Sequence, residues 1–209
     1  MDKDQLKKWS IVSLGLFING FGIALISKAH LGLTPIATLP YVLAKISSLS
    51  LGVAMIITST LMVVLQIVIL GENFKKLQYL QFVIGFILGI SVDISLYILT
   101  LVNPEHYFSQ ITTLLIGCLI LSFGISIQVI QNLILMPAEA LVKVISEKLS
   151  QGFGSVKVFF DVFIVALAIG MSLVVLDKIE GVREGTIILA LITGICVRFF
   201  LKRFKYARA

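Results

Sequence analysis

Few residues in this sequence are able to do chemistry, and most of them stand where a charge is expensive. Asp93 lies well inside an apolar run, with Ser91 and Ser95 as its polar neighbours. A carboxylate in hydrocarbon costs about 3 kcal/mol on insertion scales, so by default it is a candidate for handling a solute, an ion or a proton. Lys157 and Asp161 are four residues apart in another apolar run. That spacing puts them on one helix face, where each neutralises the other; a structural ion pair reads them as well as a transport site does. Arg198 stands nearer the end of the last apolar run, and its long side chain is able to reach the basic flank instead. Lys28 and His30 border an interruption in the first apolar run. They suit attraction of an anionic solute or anchoring of a helix end at the interface. Glu139 and Lys143 carry the favourable i,i+4 order for a helix-surface pair. Glu184 is placed to cap the last helix, with Arg183 exposed beside it.

Catalytic chemistry finds no support. Nothing resembles a Ser/His/Asp triad, an HExxH helix, a phosphate-binding glycine loop or paired catalytic carboxylates. Cys118 and Cys196 are isolated in apolar runs without a CxxC or His/Cys cluster, as buried small side chains rather than metal or redox ligands. The expectation is a protein that is not an enzyme and needs neither metal nor cofactor.

The elements that must position these residues are membrane helices. The chain is 58% hydrophobic and 13% charged with a mean hydropathy of +1.08, whereas charged residues make up about a quarter of a soluble domain. The formal charge of +6 gathers at the ends of apolar segments, where it sets orientation, and calls for no nucleic-acid partner. Segments 9–27, 51–70, 77–101, 111–130, 154–176 and 185–201 are each long enough to cross about 30 Å of hydrocarbon. The basic N-terminus is followed by no small-residue cleavage site, so the first segment reads as a retained span. With six spans, Lys3, Lys7, Lys8, Lys75, Lys76, Lys143, Lys148, Lys202, Arg203, Lys205 and Arg208 fall on one side, and the 102–110 loop, which has no Lys or Arg, falls on the other. That is the positive-inside pattern with both termini cytoplasmic; eight spans would break it.

Two segments, 35–48 and 137–149, are too short to span. Each opens with a proline, Pro35 or Pro137, at the first helical position, where the missing N–H is harmless. Thr34 suits the N-cap of the first and Met136 does not suit that of the second. The interruption before the first, His30-Leu31-Gly32-Leu33-Thr34-Pro35, is written again as Asn132-Leu133-Ile134-Leu135-Met136-Pro137. At an offset of 102 residues, Phe21-Gly22-Ile23 falls on Phe123-Gly124-Ile125, Ser48 on Ser150 and Gly52 on Gly154. After a three-residue insertion, Gly89 falls on Gly194 and Asp93 on Arg198. The reading is one membrane domain over 1–209 in two halves, about 9–101 and 111–203. Three spans per half is an odd number, so the halves have inverted topology, a recurrent transporter plan.

The Gly-Leu-Thr-Pro break at 32–35, Ser50-Leu51-Gly52, the segment from Met136 to Lys143, Phe153-Gly154-Ser155-Val156-Lys157 and Val182-Arg183-Glu184-Gly185-Thr186 together resemble the YczE/YitT-type bacterial membrane proteins. The resemblance runs from about residue 10 to 201. In that family the segment after each break commonly carries a proline followed by a polar or acidic residue; here the first copy has Ile36-Ala37-Thr38 and no acid. The resemblance implies a small multi-span protein of the bacterial inner membrane, often described as a transporter, with no known substrate.

The expected fold is therefore an all-α membrane protein of six spans plus two short re-entrant or interfacial helices. The expected function is small-solute transport between the halves. A single cavity lined by Gly32, Thr34, Pro35, Met136, Pro137 and Glu139 together with Asp93 would give the unpaired N–H groups of both short helices a polar partner. Two other readings stand. A substrate-binding subunit of a multi-component importer would dock its partner through Gly15, Gly20 and Gly22. A membrane scaffold would use segment 137–149 as its contact. The partners expected are the bilayer, a small solute, and either a second copy or a partner subunit.

Overall fold

The computed structural model describes residues 3–206, so Arg208, one of the cations counted above, lies outside it. The described residues form eight α-helices and no strand: α1 (Lys3–Lys28), α2 (Pro35–Ser47), α3 (Leu51–Leu70), α4 (Leu80–Ile98), α5 (Tyr107–Gln131), α6 (Pro137–Lys148), α7 (Phe153–Leu176) and α8 (Glu184–Tyr206). Six of them, all but α2 and α6, are long and apolar enough to cross a membrane, with one-turn helices extending α4 to 76–101. Ser50 caps α3, its hydroxyl accepting from the Val53 N–H at 3.1 Å. Pro35 and Pro137 open α2 and α6, yet neither Thr34 nor Met136 makes a side-chain cap bond. Thr34 is thus not the working cap its type suggests. Left-handed residues stop the chain at matching places: His30 (φ 56°) and Asn132 (φ 45°) after α1 and α5, Ser48 (φ 54°) and Ser150 (φ 53°) after α2 and α6.

The centre is the antiparallel pair α1 and α5. A Cβ on Gly15 would press on Gly124 and Gln128, one on Gly22 on Leu121, one on Gly117 on Gly22 and Ile26, and one on Gly124 on Gly15 and Asn19. Small residues at these crossings let the backbones approach, the usual source of helix affinity in lipid. Gly20 likewise admits Ser91 and Val92 of α4. Gly15, Gly20 and Gly22 are therefore filled from within the chain, which corrects the expectation that they dock a partner. On the other flank α8 lies on α5, with the Ser122 hydroxyl reaching the Thr193 carbonyl at 3.5 Å and Phe123 against Phe200.

The short helices α2 and α6 lie against α3 and α7. Leu39 and Val42 of α2, Leu141 and Val142 of α6, Met62 of α3 and Ile164 of α7 make one buried cluster. Two pairs of spans differ sharply. In α3 and α4, Gly52 faces the Gly89 carbonyl, Gly89 faces Ile56 and Gly85 faces Ser59, all with no room for a Cβ. α7 and α8 share no comparable interface, and Gly154, Gly170 and Gly194 have nothing within 4 Å of where a Cβ would be.

Candidate functional site

The antiparallel crossing of α1 and α5 puts the two breaks at opposite ends of the bundle. They are finished differently. At the first, the chain between α7 and α8 closes over it: the Leu33 N–H donates to the Gly181 carbonyl (3.0 Å), the Gly185 N–H to the Leu31 carbonyl (2.8 Å), and the Arg183 guanidinium to the His30 carbonyl (2.9 Å). Glu184 holds Arg183 in place with an ion pair at 2.9 Å. Gly32 (φ 103°) passes so close to Thr186 that no side chain fits. Tyr41 lies against Gly181, and burial, reinforced by the charge of Glu180, raises its phenol above the ordinary range. The polar backbone freed by this break is thus satisfied by protein.

At the second break a cavity of about 660 Å³ opens between the end of α5, the 132–136 segment, α6 and the α3–α4 connection. Met136, Glu139 and Gln128 line it, with Lys75, Lys143 and Glu147 also on its wall. Glu139 Oε2 and Gln128 Nε2 are shielded from solvent and have no hydrogen-bond partner. Behind Met136, Asn19 Oδ1 is likewise unpaired, and Asn19 Nδ2 reaches only Met136 Sδ at 3.9 Å. Buried polar groups are satisfied in the great majority of cases, so three around one break mark a place built for something other than packing.

The charges near Glu139 are committed elsewhere. Lys157 and Asp161 of α7 form the ion pair expected of their spacing, at 2.5 Å and about a quarter exposed. Lys143 pairs with Glu147 at 3.9 Å rather than with Glu139, although Glu139 and Lys143 have the more favourable i,i+4 order. Burial therefore dominates and raises the Glu139 carboxyl above the ordinary carboxylate range; Lys157 pulls the other way and Asp161 adds to the rise. A clamp holds the start of α6 beside the cavity: fully buried Gln66 and Gln81 exchange two amide bonds (2.9 and 3.1 Å), and Gln66 also donates to the Pro137 carbonyl at 3.1 Å.

Of the residues expected to bind a solute, only Met136 and Glu139 line this cavity; Pro137 borders it through the clamp. His30, Gly32, Thr34 and Pro35 belong to the sealed first break and do not line it. Asp93 does not either. Its carboxylate accepts from the Ser50 hydroxyl (2.5 Å) and the Gly52 N–H (2.7 Å), so it caps α3 from α4. Ser91 and Ser95 instead bond back to their own helix at Ile87 and Ser91. Arg198 is exposed on α8, and no ion pair joins it to Asp93 among the described residues. The amides Asn19, Gln66, Gln81 and Gln128 went unnoticed in the sequence because an uncharged amide hardly disturbs an apolar run. Their signal was a polar side chain in a bilayer segment with no local partner.

Six apolar spans with two short helices set between them define an all-helical, multi-pass integral membrane protein. The chain belongs to a family of unknown function, DUF6198, whose model matches residues 6–202. It is 26% identical over 202 residues to the "Uncharacterized membrane protein YczE" of Bacillus subtilis (strain 168), covering 96% of this chain and 88% of that protein. No solved structure matches the chain.

Proposed function

We propose that the protein is a small-solute transporter of the bacterial cell membrane, built of two inverted halves, with both termini in the cytoplasm and the cavity at the second break as its site. One observation carries the reading: corresponding breaks at opposite ends are in opposite conditions, one sealed by the α7–α8 connection and the other open on a cavity that holds polar side chains in a largely aliphatic lining. That is the asymmetry a transporter has when only one side has access to its site.

The contacts support equivalence of the halves. With the 102-residue offset, the approach of Gly22 to Leu121 becomes that of Gly124 to Asn19, and Gly15 to Gln128 becomes Gly117 to Ile26. The left-handed residues correspond in the same way, and α2 on α7 corresponds to α6 on α3. The exception is the closed α3–α4 pair against the parted α7–α8 pair. Exchanging these two conditions between the halves would seal the second break and open the first. The positive-inside pattern, with Lys75 and Lys143 on the cavity's wall and Lys76 and Lys148 close to them in the sequence, supports a cytoplasmic opening in this state.

The test is a melting-temperature screen of the purified protein against a metabolite library, since a ligand of the folded state raises its stability. Each hit is then measured for uptake into vesicles carrying the protein. The reading fails if stabilising ligands are not carried, and doubly so if charge reversal at Lys148, which is not part of the cavity lining, abolishes cellular function while substitutions at Glu139 and Gln128 do not, the pattern of a scaffold. Copurification of an ATPase pair would favour an importer subunit instead.

A further inference from the structure

The open cavity has a chemistry of its own. Its lining includes a carboxyl from α6 with one shielded oxygen, Glu139 Oε2, that no donor reaches, and an amide from α5 with a shielded nitrogen, Gln128 Nε2, that no acceptor reaches. The rest of the lining is largely aliphatic, including Ile125, Val129 and Leu133. A carboxylate oxygen shielded from water with no donor is costly even though the backbone N–H of Glu139 assists the charge, and the inexpensive alternative is a proton on it.

The groups facing Glu139 leave it that choice. From α7, Lys157 is bound to Asp161 at 2.5 Å. On α6 itself, Lys143 is paired with Glu147, both more than half exposed at the cavity's outer wall. Lys75 belongs to the α3–α4 connection, and Gln66 and Gln81 from α3 and α4 and Gln128 and Asn132 from α5 are uncharged. Among the described residues no cation forms an ion pair with Glu139, and Lys157, whose charge reaches it, is bound to Asp161. An anionic solute would bring its charge against this carboxyl, whereas a cationic one would supply the missing donor. The terminal torsion of a glutamate is broad and nearly two-fold, so the unpaired oxygen turns toward the cavity at little cost.

We propose that Glu139 is an exchange site, carrying a proton when the cavity is empty and the ammonium group of an amine-bearing solute when it is loaded, with the Gln128 amide donating to an oxygen at the solute's other end. The step balances: the ammonium enters as a cation, the Glu139 proton leaves to water, and the charge of the cavity is unchanged. This deepens the transport reading and rests on it only for the movement of the solute, since exchange at Glu139 needs no transport.

The experiment compares matched compounds on the purified full chain in detergent: 4-aminobutan-1-ol, butane-1,4-diol and 4-hydroxybutyrate, each titrated while the melting temperature is followed between about pH 5 and 9. Only the amino alcohol should stabilise saturably. Its half-saturating concentration should rise about tenfold for each pH unit below the Glu139 titration, because proton and ammonium compete. Glu139→Gln should lose the response at every pH, and Gln128→Leu should weaken binding of the amino alcohol but not of butylamine. The proposal is overturned if no amine stabilises, if the diol or the anion does so equally, or if the amine response ignores pH. The wild-type arms decide this even where a variant does not fold. Amine binding that needs Glu139 without uptake into vesicles sinks the transport reading and leaves the exchange site standing; uptake of a solute indifferent to Glu139→Gln does the reverse.

Discussion

In the proposed correspondence of the two halves Gly89 pairs with Gly194, yet alanine at each should act with opposite sign. At Gly89 the new Cβ would lie 2.5 Å from the Gly52 carbonyl and 2.5 Å from Ile56 Cγ1. The first of these is backbone and unable to swing away, so the upper part of the overpacking range, about 3 kcal/mol, applies. The better helix propensity of alanine returns about 1 kcal/mol, for a net loss of about 2 kcal/mol. At Gly194 nothing lies within 4 Å of the Cβ position, which leaves only the propensity gain of about 0.5–1 kcal/mol. For a chain of this size each kcal/mol moves the melting temperature by about 2–4 °C. Loss of helical circular dichroism on heating in detergent should therefore fall by about 4–8 °C for Gly89→Ala and rise by about 1–4 °C for Gly194→Ala. If transport exchanges the packing of α3–α4 with that of α7–α8, Gly194→Ala should also slow transport while stabilising the protein, because the added methyl obstructs closure. A drop in melting temperature for Gly194→Ala as large as that for Gly89→Ala would refute the reasoning, since it would mean that α7 and α8 pack as closely as α3 and α4.

Three further outcomes follow from side-chain geometry. Asp93→Ala removes the acceptor for the Ser50 hydroxyl and the Gly52 N–H and should cost about 2–4 kcal/mol in thermal or denaturant unfolding. Asp93→Asn should cost less and leave solute binding intact; loss of binding without loss of stability would return Asp93 to the site. Gln66→Leu leaves the Gln81 amide unpaired and takes one donor from the Pro137 carbonyl and should cost about 2–4 kcal/mol, measured as a lower melting temperature, with the complementary Gln81→Leu recovering part of it in the double variant. Glu139 has a folded-state pKa raised above its ordinary 4.5. The folded chain holds this proton more tightly than the unfolded one, so its contribution is most favourable below the unfolded value and declines as pH rises through the folded one. Stability measured against pH should show that decline in the wild type and a flatter profile in Glu139→Gln.

The architecture was legible because the bilayer narrows the choices. An apolar segment in lipid satisfies its backbone internally, so segment length read out six spans, and Pro35 and Pro137 marked where two short helices start. The 51–70 segment coincides with α3 end to end. The ion pair of Lys157 and Asp161 was readable too, since i,i+4 contact is local. Asp93 was recognised as a buried charge but not as a cap, because its partners Ser50 and Gly52 are more than forty residues away. The 102-residue offset pairs the two breaks in the sequence without saying that one would be sealed and the other open. That difference depends on which distant segment comes to each break: Gly181, Arg183 and Gly185 supply hydrogen bonds at the first, and the α3–α4 connection leaves a gap at the second. Helices, breaks and local pairs follow from nearest neighbours along the chain. Whether a buried polar group finds a partner is decided only when remote helices meet, and for Glu139 and Gln128 they meet without supplying one.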